Sequence, residues 1–471
     1  MIDLKLKQQE ALGLMKTGAN VFLTGKAGAG KSFVTDLFTA WAEEQDKNIL
    51  ICAPTGIAAL NIGGATIHRT FKLPINYVSD SSHLYSSNEG RALIEAADIV
   101  LIDEVSMLRA DTFSHVEYKM RESVLSGSAF GGKQIIVVGD FYQLPPVIKN
   151  EERADLKSHF GGHYAFECQA WKDAKFKMVE LDEVVRQSDL EFVDALNSIR
   201  EKNVHSNKSL GYVNHNANGD IMENDVVTLC FTNKVAEQIN KKELSKIEAL
   251  PVEFIASVSG TVKESEKPVP EHLELKVGAK VIFCVNDQDG RFVNGTTGYV
   301  TGFDGDFIVI DDCINLDKNT WEITEPKLNE LTGKIEHDVI GTYQQYPIKL
   351  AWAITIHKSQ GQTIKGRVHM QMDGSFRPHG ALYVALSRCT DINNLSLERE
   401  LGAYDLVVDE SVRTALLSMS LGVTTIEIPA YSIGLFEKLL DVIELNPSEN
   451  QLNAMLKRLG DWEDKLSCRK S

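Results

Sequence analysis

Positive charge is in short supply in this 471-residue chain, where 49 Lys and Arg face 66 Asp and Glu and leave a formal net charge of -17. Such a deficit argues against a partner held by diffuse basic surface, the usual way of gripping a polyanion without sequence preference. Cysteine is sparse as well. The seven (Cys52, Cys168, Cys230, Cys284, Cys313, Cys389, Cys468) are scattered with no C-x-x-C pair and no nearby Cys/His cluster, which argues against structural zinc and a disulfide framework. Long apolar runs are missing. Ile99 to Ile102 and Val281 to Val285 fall far short of the ~20 residues that cross a bilayer. Met1 to Glu10 lacks the apolar stretch of a signal peptide, and no arginine precedes Arg69, which argues against a transit segment. The expectation is a soluble cytoplasmic protein without a membrane partner, of bacterial or phage origin.

What is present reads as globular. Hydrophobic residues make up 43% and charged residues 24% of the chain, enough to bury a sizeable core, and the length is about three times that of a single domain of ~150 residues. Short β-branched runs at Val21 to Leu23, Ile49 to Ile51, Ile99 to Ile102 and Ile135 to Val138 alternate with helical patterns, as in a parallel sheet covered on both faces. Phe33, Val34, Leu37, Phe38 and Trp41 recur at helical spacing between the first two runs. Leu73 to Asn88 is Ser- and Asn-rich and reads as an excursion. A second α/β signal starts at Val226 to Phe231 and resumes at Ile348 to Ile356. Between them, short strands (Val277 to Val285, Gly298 to Gly302, Phe307 to Ile310) with Asn294-Gly295 and Asp304-Gly305 turns predict an inserted small β-barrel. Two amphipathic helix patterns close the chain, Ile433, Phe436, Leu440, Ile443 and Leu452, Met455, Leu456, Leu459.

Chemistry enters at Gly25-Lys26-Ala27-Gly28-Ala29-Gly30-Lys31-Ser32, which fits G-x-x-x-x-G-K-S/T directly after a strand and at the opening of a helix. The glycines let backbone N–H groups close around phosphate oxygens, and the helix N-terminus adds partial positive charge. Lys31 is expected on the β and γ phosphates of ATP and the Ser32 hydroxyl on Mg2+. A hydrolase also needs a metal-binding carboxylate and a group to polarise water, and Asp103 and Glu104, at the end of the Ile99 to Ile102 run, supply them as metal ligand and base. Gln143, followed by Leu144-Pro145-Pro146, is a candidate sensor of the γ phosphate; taken alone, the segment is a turn stiffened by prolines.

In this order the motifs resemble superfamily-one DNA helicases of the petite-integration-frequency (Pif) branch, alongside the RecD-like enzymes, over about residues 4–400. The most specific part is Ala129-Phe130-Gly131-Gly132-Lys133-Gln134 running into Gly139-Asp140-Phe141-Tyr142-Gln143-Leu144-Pro145-Pro146, which looks like the family's signature segment. The resemblance implies two RecA-like parallel-sheet motor domains, at residues 1–185 with a small excursion near 72–97 and at 186–404 with a β-barrel inserted at about 255–345. A helical extension at 405–471 lies outside it. Leu4-x-x-x-Gln8-x-x-Ala11-Leu12 resembles the motif whose glutamine reads adenine, with Gln9 as a neighbouring candidate. The resemblance places Gly25, Gly28, Ala29, Gly30, Gly361 and Tyr383 at the nucleotide as well. Pro54-Thr55-Gly56 and Thr66-Ile67-His68 resemble segments that touch single-stranded DNA from the first motor, and Thr355, His357, Lys358 and Ser359 their counterparts in the second. Arg186, in a segment continuing to Leu196, Ile199 and Arg200, and Arg388, in Tyr383-Val384-Ala385-Leu386-Ser387-Arg388, match the arginines that reach the γ phosphate across a cleft; a lone arginine would be a surface ion-pair partner. No pattern between Phe71 and Ala97 transfers to a strand-separating wedge.

The implied activity is an ATP- and Mg2+-dependent helicase acting in DNA replication, repair, recombination and telomere maintenance. It would be a monomeric motor moving 5′-to-3′ on single-stranded DNA and opening tailed or forked duplex, with the C-terminal extension open to a protein partner. A DNA-stimulated ATPase that remodels nucleoprotein without unwinding, and a nucleotide-switched interaction protein, stand as alternatives. The charge objection narrows accordingly: between residues 351 and 400, Lys358, Lys365, Arg367, Arg377, Arg388 and Arg399 outnumber Asp373, Asp391, Glu398 and Glu400. Binding is expected in a local groove.

Overall fold

The computed structural model describes residues 4–81, 84, 86–182, 189–217, 226–372 and 377–421. Six strands, β1 (Val21–Gly25), β2 (Ile49–Ala53), β3 (Ala65–Thr66), β4 (Ile99–Ile102), β5 (Gln134–Val138) and β6 (Lys177–Leu181), form one parallel sheet in the order β3-β2-β4-β5-β1-β6. Continuous apolar runs build it because successive side chains point to opposite faces and both faces are covered. Val100, Ile102, Ile135 and Val137 enter one core with Phe113, Phe141 and Trp171, while Ile99, Leu101, Ile136 and Val138 enter the other with Val34 and Phe38. The helix Lys31–Glu44 buries Val34, Thr35, Phe38 and Ala42, whereas Phe33, expected on that stripe, is 39% exposed.

A second parallel sheet, in the order Ala353–Thr355, Val226–Cys230, Arg367–Met370, Leu395–Leu397, carries its own core around Leu229, Ile354, Val368 and Val384. The run Ile348 to Ile356, read as one signal, is divided between two sheets. Ile348–Leu350 closes an antiparallel sheet and Ala353–Thr355 edges the parallel one. The Asn240 side chain stands in for a neighbouring strand there: its amide donates to the Ala353 carbonyl at 2.8 Å and its carbonyl accepts the Ala353 N–H at 2.9 Å.

The inserted unit is antiparallel. Strands Ile314–Leu316, Phe307–Ile310, Thr297–Asp304, Lys280–Phe283 and Ile348–Leu350 lie side by side over a core holding Val281, Phe283, Val300 and Ile308. The expected Asp304-Gly305 turn is present, with Asp304 paired to Phe307. A longer hairpin, Asn319–Asn329 with Lys334–Gln345, reaches from this unit to the first sheet. At its tip the Asn48 amide donates to the Gly333 carbonyl at 2.8 Å and its carbonyl accepts the Ile335 N–H at 3.1 Å. After the second sheet, the helix Glu410–Ser420 returns to the first core, where Val412 and Leu416 are buried. The two C-terminal helix patterns lie outside the described residues. Among the described residues no helix is long and apolar enough to cross a membrane.

Candidate active site

The phosphate loop leaves the carboxyl end of β1 and turns into the helix at Gly30, whose φ of 85° favours glycine. A Cβ there would stand 2.7 Å from the Gln8 amide nitrogen, which donates to the Ala29 carbonyl at 3.3 Å. Gln8 is thus buried against the loop, while Gln9 is exposed and donates to the Leu4 carbonyl. Lys31 lies back over its own loop, Nζ donating to the carbonyls of Gly25 at 2.8 Å and Lys26 at 3.2 Å. Burial pulls its pKa down, opposed by the nearby carboxylates of Asp140, Glu104 and Asp103. Ser32 is exposed at the start of the helix.

Asp103 and Glu104 follow β4. Asp103 Oδ1 accepts the Glu104 N–H at 2.8 Å, and Glu104 has left-handed backbone, φ 50° and ψ 44°, a conformation costly for a residue with a side chain and concentrated at functional sites. Burial raises both carboxyls, and with the added repulsion of Asp103 it brings Glu104 to about 7. Gln143 is buried and its amide donates to Asp140 Oδ2 at 3.4 Å.

The second domain closes over this edge. Arg200, from the helix Leu190–Glu201, is 1% exposed and grips Asp140 with two bonds, Nε to Oδ2 at 3.1 Å and Nη2 to Oδ1 at 3.0 Å. Its guanidinium lies 4.7 Å from the centre of the Tyr142 ring. The Tyr383 hydroxyl accepts the Ala27 N–H at 2.9 Å. Arg388, also 1% exposed, donates to the carbonyls of Val384, Ser359 and Gln362 and to the Ser387 hydroxyl. Gln360 crosses the cleft, its Nε2 donating to Glu104 Oε2 at 3.0 Å. Gly361 is exposed beside it. Arg186 lies outside the described residues.

Sequence reasoning passed over Asp140, Arg200 and Gln360 as parts of this cleft. An arginine beside Ile199 on the buried face of a helix was the available signal, since such a charge needs a partner.

The candidate DNA contacts lie on loops and helix starts of both domains, here called the rim. Pro54 is half-buried; Thr55 Oγ1 accepts the Ala58 N–H and Thr66 Oγ1 the Arg69 N–H, so both cap short helices. His68 is half-buried, and burial lowers its pKa. On the second domain, Thr355 Oγ1 accepts the Lys358 N–H and the Ser359 hydroxyl donates to the Ile356 carbonyl. Thr355 and Ser359 are buried and shape the loop, leaving half-buried His357 and exposed Lys358 at its surface. A cavity of about 550 Å³ opens beside Lys358, lined also by Lys241, Lys276 and Lys349. The inserted unit sits on the first-domain part of the rim. Arg69 Nη2 bonds Glu266 Oε1 at 2.6 Å with both side chains at most 6% exposed, and a Cβ on Gly56 would meet the Ser265 carbonyl at 2.5 Å.

Two parallel-sheet domains facing across a phosphate loop, a strand-end Asp-Glu pair and a buried arginine define a phosphate-loop ATP hydrolase built as a motor. The family model described as PIF1-like helicase matches residues 6–224. The ATP-dependent DNA helicase Pif1 of Campylobacter jejuni is 34% identical over 412 residues, covering 80% of this chain and 88% of that protein. Bacteroides sp Pif1 in complex with ADP-AlF4 superimposes with a TM-score of 0.82 at 32% identity, covering 90% of this chain and 99% of that one. The Bacteroides Pif1 helicase in complex with ADP-AlF3 and ssDNA gives 0.64 at the same 32% identity, covering 89% and 98%. The chain belongs to the PIF1-like helicase family.

Proposed function

We propose that the chain is an ATP-driven DNA helicase that moves along single-stranded DNA in the 5′-to-3′ direction as a monomeric motor and opens tailed or forked duplex. The observation that carries this reading is the union of the two domains at one cleft: Lys31, Asp103 and Glu104 on one side, Arg388 and Gln360 on the other, with the rim loops beside them. The relatives' DNA-helicase names and the single-stranded DNA held by the Bacteroides protein support DNA as the track.

Magnesium fits the donors present. Ser32 offers an exposed hydroxyl and Asp103 a carboxylate that commits Oδ1 to the Glu104 N–H, a hard oxygen set. Ser32 and Asp103 would hold the ion, which when bound neutralises charge on the phosphates. Lys31 leaves the carbonyls of Gly25 and Lys26 for the phosphate chain, and Glu104 takes a proton from the attacking water. Gln143, held beside Asp140 and Arg200, would sense the γ phosphate. Arg388 must exchange its carbonyl partners for that phosphate, so hydrolysis is tied to a rearrangement of the cleft, and a motor needs that link. His357, Lys358, Pro54 and His68 meet the strand backbone without reading bases.

A fluorescently labelled duplex with a 5′ tail, compared with one bearing a 3′ tail, tests activity and direction together. ATP-dependent release from the 5′-tailed substrate alone is expected. Robust ATP hydrolysis with no release from either would favour a remodelling ATPase.

A further inference from the structure

Gln360 joins two sites that are otherwise separate. Its loop is a compact turn: the Ser359 N–H bonds the Thr355 carbonyl at 3.0 Å, the Gln360 N–H the His357 carbonyl at 3.3 Å and the Gln362 N–H the Ser359 carbonyl at 3.0 Å. With the Thr355 and Ser359 hydroxyls also bonded inside the turn, His357, Lys358 and Gln360 belong to one hydrogen-bonded unit. From the inner side of the turn the Gln360 amide reaches Glu104 across the cleft at 3.0 Å, while its Oε1 is buried with no hydrogen-bond partner among the described residues. An orphaned amide oxygen is unfavourable. The side chain holds this pose against that cost because the carboxylate attracts its N–H groups. The same turn occupies Arg388 through the carbonyls of Ser359 and Gln362. Base and arginine are therefore both engaged by one loop whose outer side carries His357 and Lys358.

We propose that Gln360 is a positioning residue that ties Glu104 in the DNA-free enzyme and withdraws from it when a strand occupies His357 and Lys358, making hydrolysis depend on the track. The proposal rests on the reading of Glu104 as base and of His357 and Lys358 as strand contacts. While Gln360 donates to Oε2, that oxygen is pinned toward the second domain. Once the amide moves off with its loop, the carboxylate is free to turn to the water, and Arg388 loses its carbonyl partners in the same movement.

The test measures steady-state ATP hydrolysis by the full chain with and without single-stranded DNA, together with KM for ATP and strand affinity. In Q360L the DNA-free kcat is expected to rise roughly tenfold, the weight of one hydrogen bond to a charged group, with KM and strand affinity unchanged, so that stimulation by DNA shrinks by the same factor. Q360M, which keeps the side-chain length but has no donor, gives the same raised DNA-free rate should Q360L fold poorly. Q360K, which retains a donor, restores the low DNA-free rate. A DNA-free rate equal to the parent's in both Q360L and Q360M overturns the proposal. So does an equal fall with and without DNA, the mark of a merely structural role. E104Q is measured in parallel: hydrolysis at the parent rate in that variant removes the base assignment itself, whereas an inactive E104Q with an unaltered Q360L removes only the tie.

Discussion

The cleft at the phosphate loop and the rim proposed for DNA are built on opposite plans. In the cleft, groups from the two domains already bond one another: Gln360 to Glu104, Tyr383 to Ala27, Arg200 to Asp140. At the rim, the Gly56 loop lies beneath the Ser265–Glu266 turn of the inserted unit, fastened by a buried Arg69–Glu266 pair. The cleft is already bonded across the two domains, while the proposed strand contacts of the first domain lie partly under a third unit.

The widest separation of the two regions is expected from Lys31→Ala, which should reduce phosphate release to background yet leave strand binding in place; loss of both would merge what the comparison divides. Arg388→Ala should slow turnover by about 10³-fold or more, the scale of an arginine that meets a transferring phosphoryl group, with ATP still bound, as equilibrium nucleotide titration can read. Arg200→Leu strands Asp140 as a buried unpaired carboxylate and should cost about 3–5 kcal/mol in denaturant unfolding; the double change with Asp140→Leu should recover much of it. Glu266→Ala acts on the rim alone. Leaving Arg69 buried without its partner disfavours the docked arrangement, so single-stranded DNA should bind about tenfold more tightly, as anisotropy titration would register, with DNA-free ATP turnover unaltered. Unchanged affinity would mean that the Ser265–Glu266 turn does not govern access. The smallest effect concerns salt. A groove confined to the rim contacts few phosphates, so the logarithmic salt dependence should be shallow, about -0.7 per phosphate, and a steep dependence would extend the rim far beyond these loops.

The parts of the molecule readable from sequence share a physical trait, which is locality. A parallel strand covered on both faces must be a contiguous apolar run, so β1, β2, β4 and β5 announce themselves, and a phosphate loop needs its glycines and lysine within eight consecutive positions. Strands buried only at alternate side chains do not. Lys177–Leu181 and Arg367–Met370 mix charged and apolar residues because only alternate side chains are buried. The long hairpin Asn319–Asn329 with Lys334–Gln345 is mostly half-buried or exposed along both strands and carries no apolar run to betray it. Partnerships were the least legible. Arg200 and Asp140 stand 60 positions apart and Gln360 and Glu104 stand 256 apart, so only the fold brings them together. Of the neighbours Gln8 and Gln9, Gln8 is the one buried against the phosphate loop, a contact no local pattern announces.

The helix Glu410–Ser420 gives the chain an unusual itinerary: it leaves the first sheet after β6, builds the entire second motor and the inserted unit, and then comes home to the first core through Val412 and Leu416. The second motor is thereby a loop held at both ends by the first. It has two tethers instead of one, and both lie on the body that carries the phosphate loop.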